Sequence, residues 1–185
     1  MTQTSSGTGA SRRLFFALWP GEAASQALAR LATRIALDAR GRATAAERLH
    51  LTMAFVGPVP DSAVDTLVAI GAAIAGHVRA FTLTLDRVGS FRDAGIAWIG
   101  TRTPPVELLE LASELKLALG SAGFRVDDRD FKAHLTLARR CERRATLQDT
   151  PAVSWRVEAM SLMASLLTPR GPQYTEIARC PLASS

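Results

Sequence analysis

Histidine is scarce in this chain, with three among 185 residues. Two of the three stand in one repeated context, His50-Leu51-Thr52-Met53-Ala54-Phe55 and His134-Leu135-Thr136-Leu137-Ala138-Arg139. The shared pattern is His-Leu-Thr-apolar-Ala, and its copies lie almost half a chain apart. Such a repeat reads as a duplicated unit that contributes one histidine from each half. Imidazole titrates near neutrality, so two histidines can supply a general acid and a general base at the same pH. Metal binding is the competing use, but a site wants three or four ligands. No further histidine, cysteine pair or carboxylate accompanies either window, so no metal and no cofactor is expected. The chain also lacks a Gly-x-Ser-x-Gly elbow, a Gly-x-x-x-x-Gly-Lys loop and a Gly-x-Gly-x-x-Gly turn, which disfavours serine hydrolysis, nucleoside triphosphates and dinucleotides.

Both windows are apolar and partly β-branched, the composition of strands. Residues i and i+2 of a strand share a face. His50 and Thr52 therefore point one way and Leu51 and Met53 the other, and His134 and Thr136 repeat the arrangement against Leu135 and Leu137. Two such strands facing one another would surround a small polar ligand with two imidazoles and two hydroxyls. The sixth position of each window breaks this logic. Strict alternation puts Phe55 and Arg139 on the face opposite the histidines, where Phe55 reads as core packing. Yet a guanidinium just past a His-x-Thr motif suits bidentate phosphate binding. His77 follows Ala75-Gly76 at an expected helix end and reads as structural. Cys141 reads as incidental, and Arg140, Arg143 and Arg144 as solvated charge.

The elements expected to position these residues follow from periodicity and punctuation. Residues 1–11 are rich in Ser, Thr and Gly and predict a disordered tail, leaving 12–185 as one two-lobed domain. A buried strand is expected over Arg13 to Trp19 and an amphipathic helix over Glu22 to Ala39, with Gly41 to Glu47 a loop. The first histidine strand is expected from Arg48 to Val56, ended by Gly57-Pro58. Asp61 is the expected N-cap of a helix over Ser62 to Ala75. Strands are predicted over Ala80 to Val88 and Ile96 to Gly100 about a turn at Phe91 to Gly95. Pro104-Pro105 opens a helix over Val106 to Leu119, ended by Gly120 or Gly123. Arg125 to Asp130 reads as loop, and the second histidine strand as Phe131 to Arg139. After a polar loop from Cys141 to Thr150, one or two strands are expected in Val153 to Leu167. A turn at Thr168 to Gln173 and a last strand over Tyr174 to Arg179 complete the chain. The fold class is α+β: two similar lobes, each an antiparallel sheet backed by helices, with a central cleft between the histidine strands.

The net charge is +5, carried almost wholly by arginine, since Lys116 and Lys132 are the only lysines. Arginine suits phosphate, which favours a phosphorylated or nucleic-acid partner; a compositional arginine bias is the alternative. The two cysteines form no framework or metal pattern, and a reducing cytoplasm is the expected setting. No stretch is long and apolar enough for a membrane helix, and the apolar run after Arg12-Arg13 is too short for a signal peptide. A monomer is the default.

The paired windows resemble the His-x-Thr motifs of the two-histidine phosphoesterase superfamily. Arg13-Leu14-Phe15-Phe16-Ala17-Leu18, Leu49 to Gly57, Phe81 to Leu85, Trp98-Ile99-Gly100 and Gln173-Tyr174-Thr175 resemble its bacterial RNA 2′,3′-cyclic phosphodiesterases, a branch also called 2′-5′ RNA ligases. The resemblance implies a bilobal fold and metal-independent hydrolysis of an RNA end carrying a 2′,3′-cyclic phosphate, or a related nucleotide, to a 2′-phosphomonoester. It implies that His50 is the general acid and His134 the general base. Thr52, Thr136 and Arg139 would contact the phosphate, and Phe55 would stack on the terminal base. Ala133 departs from the proline usual before the second histidine. Two other functions stay open on sequence: reversible cleavage and joining of 2′-5′ linkages, and RNA binding without catalysis through Phe55 and the arginines.

Overall fold

The computed structural model describes residues 11–127, 129–145, 150–169 and 171–184. The expected disordered tail lies outside them except for Ser11, which opens a strand. Part of the polar loop after Cys141 also lies outside. Among the described residues the order is β1 (Ser11–Leu18), α1 (Glu22–Asp38), β2 (Arg42–Ala43), β3 (Leu51–Pro60), α2 (Val64–Ala75), β4 (Phe81–Leu85), β5 (Arg87–Phe91) and β6 (Ile96–Gly100). Then come α3 (Val106–Ser121), β7 (His134–Arg139), β8 (Val153–Val157), β9 (Ala159–Thr168) and β10 (Gly171–Pro181).

Two half-sheets make the bilobal α+β architecture. One has the order β10-β9-β1-β3 and the other β7-β6-β5, and all described neighbours are antiparallel. The halves meet at Leu51 opposite Leu135. Beyond that pair β3 leaves β7, and β2 takes its place along the end of β7. Strands β4 and β8 form a separate ribbon. Helix α1 buries Leu28, Leu31 and Ile35, one helical stripe, and packs on β7 and β2. Helix α3 backs β3, and α2 backs β9 and β10. The main core lies between helices and sheet, while Phe15, Ala17 and Met163 form a second apolar cluster on the opposite face of the sheet.

Several sequence expectations are corrected. β3 continues through Gly57-Pro58 to Pro60 instead of ending there. Its register stays paired with β1, and Pro58 needs no N–H on the edge that β7 has left. Arg48 belongs to a 3₁₀ turn (Ala46–Arg48), not to the strand. The stretch after Gly41 is not all loop, because Arg42 and Ala43 pair with Arg139 and Ala138. Asp61 does not cap α2; its Oδ1 accepts from Arg12 Nε at 2.8 Å, and α2 begins at Val64 without a side-chain cap. The strand expected over Ala80 to Val88 divides between β4 and β5, and β4 pairs with the distant β8.

The register also accounts for Phe55 and Arg139. Paired residues of adjacent strands share a face. Thr52 pairs with Ala17 and Phe55 with Phe15, both from the cluster opposite the main core, whereas Ala54 pairs with Phe16 in that core. Met53 is the extra residue of a β-bulge between Thr52 and Ala54. In β7, Thr136 pairs with Trp98 and Ala138 with Ala97, leaving Leu137 as the bulged residue. A bulge adds one residue and reverses the alternation beyond it. Both motifs therefore bulge at their fourth residue, and the sixth side chain joins the face of the histidine and threonine.

Gly89 lies against the indole of Trp98, where a Cβ would overlap the ring. Gly89→Val should therefore overpack the β5–β6 hairpin and cost about 1–3 kcal/mol. Urea unfolding checks this, with the wild-type midpoint as reference; an unchanged midpoint would show that Trp98 moves freely.

Candidate active site

His134 opens β7 and His50 stands immediately before β3, and each ring is locked from behind. His50 Nδ1 lies 2.8 Å from the carbonyl of Arg48, and His134 Nδ1 lies 2.7 Å from the carbonyl of Lys132. A carbonyl only accepts, so Nδ1–H donates in both rings and Nε2 is left to exchange protons. Carrying the Leu51–Leu135 register one residue each way sets His50 opposite Thr136 and His134 opposite Thr52. The histidines are then diagonal neighbours across the joint, and both line the same cavity.

The surroundings of the two rings differ. His50 sits among Phe15, Trp19 and Tyr174, at ring-centroid distances of 5.2, 5.0 and 5.1 Å. Burial pushes its imidazole down to about 4, helped by electrostatic repulsion from Arg139 and from the other motif's ring and opposed by the Arg48 carbonyl. His50 is thus neutral near pH 7 in the free protein. His134 meets Phe91 edge-on at 5.2 Å and Trp98 at 6.5 Å. The same burial raises the phenol of Tyr174, against the pull of Arg139 and Arg48.

His50, Thr52, Phe55, His134, Thr136 and Arg139 all line one cavity of about 700 Å³. Phe55 is 66% exposed, an aromatic face held open to solvent instead of packed in the core. Among the described residues no three His, Cys, Asp or Glu side chains converge as a metal site would require. His77 stands elsewhere: Nδ1 meets the Ala73 carbonyl at 2.8 Å and Nε2 meets Glu114 at 2.6 Å, joining α2 to α3. That is a structural role, as expected.

Arg48 also lines the cavity, though its sequence position gave no sign of it. Its Nε is buried without a hydrogen-bond partner among the described residues, and the nearest carboxylate, Glu47, is 3.8 Å away. Gly171, at φ +108°, makes room for it, since a Cβ there would overlap Nη1 of Arg48. Tyr174 was legible only through the family pattern. Nothing in the sequence tied the β10 turn to the first histidine.

The family model of the 2′-5′ RNA ligase superfamily matches residues 20–168. The chain belongs to that superfamily. Among its relatives, an RNA 2′,3′-cyclic phosphodiesterase of Escherichia coli is 35% identical over 91% of this chain and 95% of its own length. One of Thermus thermophilus is 30% identical over 90% of this chain and 88% of its own. The superfamily fold is shared in detail: the crystal structure of E. coli LigT complexed with 3′-AMP superposes with a TM-score of 0.85 at 30% identity, covering 94% of this chain and 99% of that one.

Because His50 is held neutral by burial, an anion brought beside it should raise its pKa. In imidazole NMR titrations of the free protein, His50 should titrate near 4, and saturating inorganic phosphate should move it upward by a unit or more. A midpoint near 6.5 with no phosphate response would show that the aromatic wall does not desolvate the ring.

Proposed function

We propose that the protein hydrolyses RNA ends carrying a 2′,3′-cyclic phosphate to 2′-phosphomonoesters, by proton transfer between two histidines. The observation that carries this reading is the pair of imidazoles, each fixed at Nδ1 by a carbonyl two residues back, with both Nε2 atoms left for one cavity. The names of the relatives agree with it.

Water attacks phosphorus in line with the bond to O3′. Nε2 of His134 takes the water proton, and Nε2–H of His50 donates to O3′ as the P–O3′ bond breaks. The phosphate stays on O2′. Charge growing on the non-bridging oxygens is met by the Thr52 and Thr136 hydroxyls and by the Arg139 guanidinium. Phe55 offers its exposed ring to the terminal base. His50 must be protonated to act as the acid, although burial keeps it neutral in the free protein. The anionic substrate supplies the missing counter-charge and draws the proton onto the ring as it binds. A reversed pair, with His50 as base, would need no such step.

The working unit is one two-lobed domain over residues 12–185, acting as a monomer in the cytoplasm on RNA. Two observations fit this setting. No described helix is long and apolar enough to cross a membrane, and Cys141 and Cys180 are free thiols.

His50→Ala and His134→Ala should each lower turnover of a 2′,3′-cyclic RNA end by about 10²–10⁴-fold. Their circular dichroism should stay that of the wild type, because both rings border the cavity. The wild-type kcat should rise and then fall with pH, since one imidazole must be neutral while the other is protonated. Full activity in either variant removes that histidine from the reaction.

A further inference from the structure

Arg42 and Arg139 face each other directly. They are register partners in the β2–β7 pair, so their side chains leave the same face of the sheet. Both line the cavity, and among the described residues neither has an acidic partner. Like charges placed opposite one another on antiparallel strands repel and destabilise the pair. β2 is only two residues long, and it is held by its pairing with β7 and by packing against α1.

A second observation comes from Thr44, two residues along from Arg42. Its N–H donates to the Leu137 carbonyl at 2.8 Å, which continues the pairing with β7. Thr44 lines the same cavity, and its hydroxyl is buried without a hydrogen-bond partner among the described residues. A buried hydroxyl left unpaired costs free energy unless a ligand completes it. Two unneutralised guanidiniums and an unpaired hydroxyl on one wall are what an oxyanion with several acceptor oxygens would satisfy.

We propose that Arg42, with the Thr44 hydroxyl beside it, is a second phosphate-binding residue that grips the reacting phosphate together with Arg139. This rests on the hydrolysis reading above. Arg42, Arg139 and His50 line one cavity, so an anion held between the two arginines faces the space that the ring borders, in keeping with the electrostatic effect of Arg139 on His50. Two guanidiniums on one phosphate spread positive charge over the oxygens on which negative charge develops. The bound anion also relieves the repulsion between the arginines, so occupancy stabilises the β2–β7 pair.

The test compares wild type, Arg42→Gln, Arg42→Lys and Thr44→Val by three measurements. These are thermal melting in phosphate-free buffer, calorimetric binding of inorganic phosphate, and kcat/KM on adenosine 2′,3′-cyclic phosphate and on a dinucleotide with the same cyclic end. Arg42→Gln should melt at or above the wild-type temperature and bind phosphate at least fivefold more weakly. It should lose kcat/KM by a similar factor on both substrates. Arg42→Lys, which keeps the charge but not the fork, should fall between. Thr44→Val should weaken phosphate binding and carries the test if Arg42→Gln does not fold. Lower melting with unchanged phosphate affinity would make Arg42 structural and overturn the proposal. A loss confined to the dinucleotide would also overturn it, placing Arg42 on the next phosphodiester. Should wild type leave both cyclic ends intact while Arg42→Gln still weakens phosphate binding, the hydrolysis reading fails and the clamp stands.

Discussion

Leu51 and Leu135 lie side by side, fully buried, where β3 meets β7. On either side of this pair the strands part. The other edge of β3 stays with β1, and the other edge of β7 stays with β6. One shared pair has two consequences. It holds the flanking His-x-Thr residues of both strands close enough to act on one ligand. It also opens a cleft, because a longer shared ladder would close the sheet over the space a nucleotide needs. The apolar residue between His and Thr in each motif is therefore the joint between lobes, and the residues on either side of it line the cavity.

The paired bulges complete the site. Without them, Phe55 and Arg139 would face the helices, and a buried guanidinium there would need a partner that the apolar core does not offer. With them, each lobe delivers an imidazole, a hydroxyl and a sixth side chain to the same face. The lobes differ in what the sixth residue is and in how each ring is walled. His50 is enclosed by Phe15, Trp19 and Tyr174, and His134 by Phe91 and Trp98. A symmetric frame thus holds two imidazoles in unequal surroundings, the condition under which one serves as acid and the other as base.

Much of this was legible in the sequence. The repeated His-x-Thr pattern singled out side chains that line one cavity, and period-two alternation put His50 with Thr52 and His134 with Thr136. Helix α1 was readable from its apolar stripe and α3 from its flanking Pro and Gly, whereas α2 was expected from an Asp61 cap that the structure does not form. The bulges were not legible, because a bulge is a mismatch between two strands, and one strand's sequence does not contain its partner's register. For the same reason β4 gave no sign of β8, nor Arg42 of Arg139. Arg48 was hidden differently. It looked like the first residue of a strand, but a 3₁₀ turn carries it to a glycine of β10 more than a hundred residues away.

The cleft is lined by Arg13, Arg42, Arg48, Arg139 and Arg140 and contains a histidine that burial keeps neutral, so in the proposed reaction the anionic substrate serves the acid–base step as well as being its target. The most direct measurement is to incubate RNA bearing a 2′,3′-cyclic phosphate with the protein in EDTA and locate the phosphate in the product. A 2′-monophosphate formed at the rate seen without chelator is the predicted result, with O3′ leaving against His50. A 3′-monophosphate would contradict the assigned orientation, and loss of all turnover, restored by a divalent metal, would contradict the two-histidine mechanism itself.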